Sequence, residues 1–556
     1  MTARIQERPQ GAAYPPALLV NIIWNIFVIG GSLLLCYTIF QVTEDFFSLG
    51  RPVQLFAGMV ALLPAVLAAF ATLALLQRRP AGRYAALVIN YVVMVMAGFV
   101  LLHLWGVFIG LDYISGAILQ NVQYTLGLAL AYALYWLAGR MREDNPLRLL
   151  LERVAIAIGM LSLLLLLWFA GAVNAAFSII STYANPVVWL VTAIMIFSGL
   201  LAYRILHLGE YFGETPQQQA AWQGWLMLSP NVIGFVLFFA GPLLLSFYLS
   251  FTNDTVGNVP EIIGLRNYGE ILSLQVGSVE VDANPRTALD RDYGVLGDIV
   301  IGQTRYVLGA RDPLFWQSIR NTIVFCLMLI PLSVIPAIFL SLILNSKLPG
   351  MKFYRAIYFL PSVAAVVGTA LIWRWLYDPT IGYFNFIITQ IVGFLNSTFG
   401  VSLTDPRILW LTDQGVVLFS LVLLAGWQVV GFNTVLFLAG LQSIPQQLYE
   451  AAYVDGANRW QQFRNVTLPM LSPTTFFVII TTVITGLQVF NEPYALIAAR
   501  PMPTAATTAV YYLYNRGFFR FEFGYASSVA WVLFALIFVV TLVQFRISRS
   551  NKAYEE

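Results

Sequence analysis

Charge is scarce in this 556-residue sequence: Asp, Glu, Lys and Arg together make up 10%, where soluble domains carry about 25%. A soluble chain of this length would split into several domains, each needing a charged, solvated surface, and so few charges cannot cover one. Lysine occurs only at Lys347, Lys352 and Lys552, and the net charge is +3, which excludes a nucleic-acid-binding role. The two cysteines, Cys36 and Cys326, both lie inside apolar runs and read as buried thiols, so a disulfide framework, a CxxC redox pair and a zinc cluster are excluded. Two histidines, His103 and His207, leave little room for haem or multi-His metal chemistry. What is abundant is apolar surface, 59% of residues against the usual 45–50%. A second apolar solvent, a bilayer, accounts for it.

Each membrane span needs about 20 mostly apolar residues, and the sequence offers about twelve. The amino half supplies Leu18 to Phe40, Gln54 to Leu76, Ala85 to Ile109, Gly116 to Ala138, Leu149 to Gly171 and Val187 to Leu206. The carboxyl half supplies Trp225 to Phe251, Trp316 to Leu344, Tyr354 to Tyr377, Gly415 to Gly440, Leu471 to Phe490 and Tyr525 to Phe545. The first run lacks an A-x-A-like cleavage site and reads as a retained anchor. With both termini in the cytoplasm, Arg78, Arg79, Arg83, Arg140, Arg142, Arg148, Lys347, Lys352, Arg546, Arg549 and Lys552 all fall inside, while Glu44, Asp45 and Asp112 fall outside, as the distribution of basic loop residues requires.

Two segments exceed simple turns. Residues 252–315, on the outer face, hold nine acids and five arginines, and the alternation from Tyr293 to Leu308 predicts short strands; contact with a soluble partner is the expected role of this elaboration. Residues 211–223, with Thr215-Pro216 and a Gln run, read as a cytoplasmic linker. The expected organisation is a membrane region of about six helices over 1–210, whose function is not legible, then the linker and a six-helix core over 224–550.

The most informative stretch is the loop at 441–469. Ser443 with Gln446 forms a capping box and Pro445 is tolerated in a first turn, so a helix should begin there. Leu448, Ala451 and Ala452 give a narrow face of small apolar groups, and Gly456 supplies a positive φ that ends the helix. A second short helix carries Arg459, Trp460, Phe463 and Arg464, and Leu468-Pro469 returns the chain to the membrane. By composition alone such a helix-turn-helix could equally lie on lipid headgroups.

Glu450-Ala451-Ala452, Gly456 and Leu468-Pro469 resemble the EAA loop of binding-protein-dependent ABC importer permeases. The resemblance extends over about three fifths of the chain. It includes Gly264-Leu265-Arg266-Asn267-Tyr268, Asp312-Pro313-Leu314-Phe315-Trp316 with Arg320-Asn321-Thr322, and Phe359-Leu360-Pro361. Trp373-Arg374-Trp375, Gly426-Trp427-Gln428 and Phe523-Gly524-Tyr525-Ala526 complete it. It points to the carbohydrate-importer branch, similar to maltose and glycerol-phosphate permeases. The fold it implies is all-α: a polytopic bundle with a type I ABC importer-like core and a small extracytoplasmic elaboration. The function it implies is the membrane subunit of an ATP-driven importer for a sugar or sugar-like solute. Glu450, Ala451, Ala452, Asp455, Gly456, Arg459, Leu468 and Pro469 would couple it to an ATPase. The chain has no G-x-x-x-x-G-K-[ST] phosphate loop, so it binds no cofactor of its own in this reading. ATP and Mg belong to partner subunits. The implied partners are a second permease, two ATP-binding subunits, an extracytoplasmic solute-binding protein and membrane lipid, with no nucleic acid, in a bacterial or archaeal plasma membrane.

By the same resemblance, substrate would pass near the midplane of the core, past Trp427, Gln428, Asn433, Gln488, Phe490, Asn491 and Glu492. Aromatic faces cover sugar C–H surface and amides pair with hydroxyls, but amides also join helices. Relatives often carry a Gly-Gly-Pro element where this chain has Ala499-Arg500-Pro501-Met502-Pro503. Arg374 reads as a snorkelling residue. An ion-coupled secondary transporter is the alternative; such proteins place paired carboxylates at midplane, and here the amino-half spans are almost free of acids. A membrane enzyme using Asp290-Arg291-Asp292 as a metal pair lacks any accompanying carboxylate or His cluster.

Overall fold

The computed structural model describes residues 15–42, 50–107, 121–141, 145–169, 171–254, 259–346, 349–497 and 502–552. Glu44, Asp45, Asp112, Arg142, Lys347 and residues 499–501 of the expected outer gate lie outside the described residues. So do the end of the expected third span and the start of the fourth. The chain divides into two compact units, Met1–Ile233 and Gly234–Glu556.

The first unit is helical. Its elements are α1 (Pro16–Gln41), α2 (Arg51–Leu76), α3 (Pro80–Leu104), α4 (Val122–Ala138), α5 (Pro146–Phe169), α6 (Ala172–Thr182), α7 (Pro186–Leu206) and α8 (Pro216–Phe235). Proline opens several of them at a first-turn position, where the missing N–H is no loss. Alanine-rich faces of α2 and α3 pack with Leu18 and Ile205 into one apolar cluster. The buried Asn25 on α1 donates to Thr72 Oγ1 on α2 at 3.1 Å, and Arg83 on α3 donates to the carbonyls of Ile205 and Leu206 at 2.9 and 2.7 Å. The bond to Leu206 satisfies a carbonyl at the end of α7 that the helix itself leaves open, whereas Ile205 O also accepts from Leu208 N–H. Arg83 also pairs with Glu214, both side chains being buried.

The expected linker at 211–223 takes a different form. Residues 210–212 make a 3-10 turn and the Gln run starts α8. The helix begins because Thr215 and Gln218 cap each other: Gln218 N–H donates to Thr215 Oγ1, and Thr215 N–H donates to the Gln218 side chain. Gln and Ala then favour continuation.

The second unit begins within a helical run that passes a π-turn at Val236–Ala240 into α9 (Gly241–Leu249). After α10 (Arg266–Leu272) come β1 (Leu274–Glu280), β2 (Gly294–Ile301) and β3 (Thr304–Ala310). They form an antiparallel sheet in the order β1-β3-β2, with Val276 opposite Leu308 and Ile299 opposite Tyr306. The helices that follow are α11 (Pro313–Leu344), α12 (Met351–Val363), α13 (Val366–Leu376), α14 (Tyr383–Phe399), α15 (Val417–Gln442), α16 (Gln446–Val454), α17 (Arg459–Gln462), α18 (Ser472–Leu487), α19 (Asn491–Leu496), α20 (Ala509–Tyr514) and α21 (Phe523–Lys552).

α11 and α15 run parallel: their first halves share a cluster around Phe325, Leu329, Leu421 and Leu424, and their second halves share one around Ala337, Phe437 and Leu441. The sheet, joined to the start of α11, therefore stands at one end of this unit and the loop after α15 at the other. Among the described residues α15 is the most buried of the unbroken span helices, and Gly431 lets it approach α12, since a Cβ there would meet the Tyr358 carbonyl oxygen at 2.4 Å.

Among the described residues nine helices are long and apolar enough to cross a membrane, or eleven if each of two bent pairs is one span. The expected span from Gly116 corresponds to α4, which is shorter. The expected straight span Tyr354–Tyr377 is instead α12 and α13, bent by 95°. Ala364 and Ala365 are extended there, three residues after Pro361, which has no N–H for the helical ladder. The expected span from Leu471 is bent by 65° from the short helices before it.

Candidate coupling loop and translocation path

α16 stands at the end of the second unit opposite the sheet, and it ends as its sequence predicts. Gly456 has φ +79°, its N–H donates to Tyr453 O at 3.0 Å, and Ala457 N–H donates to Ala452 O at 2.9 Å. That is the Schellman pattern. The start differs from expectation: Pro445 is the cap residue, without a side-chain cap, and Ser443 Oγ donates back to Gly440 O at the end of α15. Ser443 is spent on the preceding helix, whose last carbonyls are the nearer acceptors. The capping box of this loop is at Asn458 and Gln461, opening α17.

Of the expected coupling residues, Glu450, Ala451, Asp455, Gly456, Arg459, Leu468 and Pro469 are exposed and Ala452 is half-buried. Glu450 accepts a 2.9 Å hydrogen bond from Gln446 one turn earlier. Beside them Tyr453 is 75% and Val454 84% exposed, an apolar tip that sequence reasoning passed over although both residues stand within the motif. The loop is fixed to the next span through Tyr449 and Thr467, whose hydroxyls are 3.0 Å apart. The arrangement presents an exposed, partly apolar helix held between the two flanking spans.

The seven expected path residues separate into two sets. Gln428 and Asn433 are buried, and each donates to a neighbouring helix: Gln428 to Thr369 Oγ1 at 3.1 Å, Asn433 to Thr482 Oγ1 at 3.3 Å. Trp427, Gln488 and Asn491 are exposed, and Phe490 and Glu492 half-buried. Gln488, Val489 and Phe490 form a non-helical break between α18 and α19, held where Thr508 donates to Val489 O at 2.9 Å. Phe490 joins Tyr494 and Tyr514 in an aromatic cluster, and Trp427 lies 5.7 Å from Trp373, ring centre to ring centre. The break thus exposes polar groups beside aromatic faces.

The other motif residues build the frame. Asn267 donates to the carbonyls of Ser250 and Thr252, and Asn321 to those of Thr504 and Thr507. Asp312 caps α11 through Phe315 N–H at 3.1 Å and accepts from the hydroxyls of Tyr512 and Tyr525, with Arg516 Nη2 at 3.4 Å. Burial, and then the Asp312 charge, push the Tyr512 hydroxyl up from its ordinary pKa, so it remains a donor. These partners lie about two hundred positions away in sequence, and spacing alone could not find them.

The family described as "Binding-protein-dependent transport system inner membrane component" matches residues 315–552. "Probable ABC transporter permease protein YesP" of Bacillus subtilis (strain 168) is 31% identical over 334 residues, 60% of this chain and 92% of that protein. This chain belongs to the family of binding-protein-dependent ABC transporter permeases. Two further relatives of the permease are "Trehalose/maltose transport system permease protein MalF" of Thermococcus litoralis and "Arabinooligosaccharides transport system permease protein AraP" of B. subtilis. Each is 30% identical; they align over 59% of the permease, and over 94% and 89% of their own lengths. A solved structure, "Crystal structure of a bacterial ABC transporter involved in the import of the acidic polysaccharide alginate", is 21% identical, with a TM-score of 0.46, over 60% of the permease and 96% of that chain. The permease is a multi-pass membrane subunit rather than an enzyme.

Proposed function

We propose that this permease carries a sugar or sugar-like solute inward across a bacterial or archaeal plasma membrane, both its termini being cytoplasmic. The relatives named for maltose, trehalose and arabino-oligosaccharide transport support the solute class. The observation that carries the coupling role is the exposed, Schellman-terminated helix α16, tied through Tyr449 to the start of the next span. In this reading Glu450, Ala451, Ala452, Asp455, Gly456, Arg459, Leu468 and Pro469 face a separate ATP-binding subunit. That subunit, one of two, holds ATP and Mg. A second permease and an extracytoplasmic solute-binding protein complete the assembly. Trp427, Gln488, Phe490, Asn491 and Glu492 line the path, while Gln428 and Asn433 hold its walls together. The membrane region over 1–210 is accessory to this six-helix core.

The test is uptake by the complex in proteoliposomes. Uptake that requires ATP inside and the binding protein outside, with no effect of an uncoupler, supports the importer. Uptake that an uncoupler abolishes and ATP does not drive would establish the ion-coupled alternative.

A further inference from the structure

The β2–β3 hairpin ends in Ile299-Val300-Ile301, which are 68%, 48% and 65% exposed, before a tight turn at Gly302 with φ +64°. Three consecutive β-branched residues at a hairpin tip are unfavourable in water, and such a tip pairs readily with other chains. The direction in which the hairpin points is fixed by α11. Gly294, at its base, touches Pro313 at the start of α11. Farther along, Ile299, Tyr306 and Leu308 line a groove of about 470 Å³ with Trp316, Gln317 and Arg320. The hairpin therefore runs alongside the first turns of α11, in the direction in which that helix enters the membrane.

Arg320 marks the depth. The apolar run from Thr322 to Leu344 has a rise of about 34 Å, close to the hydrocarbon thickness of about 30 Å, so hydrocarbon begins within a turn of Arg320. Arg320 is exposed and makes no hydrogen bond or ion pair among the described residues. Trp316, a turn earlier, donates its indole N–H to Ile271 O at 3.1 Å. Tryptophan and arginine at this level are the usual markers of the headgroup region. Of the acids near the tip, Asp298 on β2 lines the same groove but is paired with Arg305 on β3 at 3.4 Å, while Glu280 and Asp282 belong to β1 and the turn after it, the edge of the sheet away from β2.

We infer that the β2–β3 hairpin dips into the adjacent leaflet, with Ile299, Val300 and Ile301 among the outer acyl segments, and Arg320 beside a lipid phosphate. The sheet is thus a lipid-anchored brace at the mouth of the core rather than a freely solvated loop.

The test places a nitroxide at Ile301→Cys or, separately, at Asp290→Cys, in the full chain assembled with its partner subunits. Asp290 is exposed and its N–H bonds the Gln275 side chain, at the end of the sheet away from the tip. Cys36 and Cys326 are buried, and the unsubstituted chain gives the background. In nanodiscs of phosphatidylethanolamine and phosphatidylglycerol, power saturation compares collisions with oxygen, which partitions into lipid, and with a water-soluble nickel chelate. The ratio of oxygen to nickel collisions should be several-fold higher at 301 than at 290, with a label at Val300→Cys agreeing with 301. Equal ratios at 290 and 301 overturn the proposal. So does shielding of 301 from both reagents, or shielding that appears only when the solute-binding protein is added, because a protein then covers the tip.

Discussion

Tyr449 and Thr467 share a 3.0 Å hydrogen bond between their hydroxyls, and this joins the helix before Gly456 to the chain re-entering the membrane. A single hydroxyl pair contributes about 1 kcal/mol, too little to decide folding but enough to shift a coupled equilibrium several-fold. Tyr449→Phe should leave membrane insertion and ATP hydrolysis by the complex intact while lowering solute transported per ATP. Thr467→Val should do the same. The double variant should lose no more than either single one, as expected for two groups in one interaction; fully additive losses would show that the hydroxyls act separately.

Gly456 tests whether the loop needs room or backbone freedom. A Cβ there would meet nothing within 4 Å, so φ +79° alone restricts the position. An L-residue in the left-handed region costs about 1–2 kcal/mol, and Asn tolerates it best. Transport should therefore fall in the order Gly, Asn, Ala, Val, with every variant reaching the membrane and ATP hydrolysis continuing. If Asn proved as damaging as Val, docking volume rather than conformation would control the site.

The division of the path residues predicts two phenotypes. Gln428→Leu and Asn433→Leu remove interhelical hydrogen bonds, each contributing about 0.6 kcal/mol and at most about 1.7, so they should lower the Tm of the purified complex while preserving the ranking of sugars. Trp427→Ala and Gln488→Ala affect exposed groups and should raise the KM for uptake without moving the Tm. The reverse assignment in paired Tm and uptake measurements would move Gln428 and Asn433 into the path.

What the sequence made legible was whatever a local pattern controls. Apolar runs located most spans, and Gly456 announced a positive φ because few other residues accept one. The alternation from Tyr293 to Leu308 marked β2 and β3. Where two local solutions competed, the reading failed: Ser443 could cap α16 or bond back to α15, and it does the latter. Pro361 and the two alanines after Val363 break a span that apolarity alone makes continuous. The Gln run after Thr215 looked like a linker because it is polar, although its capping pair and its helix propensity start α8. The Asp312 cluster and the contacts of Arg83 were out of reach for another reason: their partners are far away in sequence, and only packing brings them together.

Arg83 looked like one of several basic loop residues that set topology, yet it is fully buried. It holds the carbonyls of Ile205 and Leu206 and pairs with Glu214, so three separate segments of the first unit meet on one guanidinium. Removing one partner of a buried pair costs about 3–5 kcal/mol because the other charge is left uncompensated, whereas replacing both with apolar groups is often nearly neutral. Arg83→Met should therefore lower the unfolding temperature of this unit sharply. Arg83→Met with Glu214→Leu should recover part of the loss, but not the contribution of the two carbonyl bonds. Trp222, whose ring lies 4.7 Å from that of Tyr84, reports thermal unfolding locally as the fluorescence difference from a Trp222→Phe control, since the chain has 14 tryptophans. Equal losses in the single and double variants would mean that the carbonyl contacts, and not the ion pair, hold these segments together.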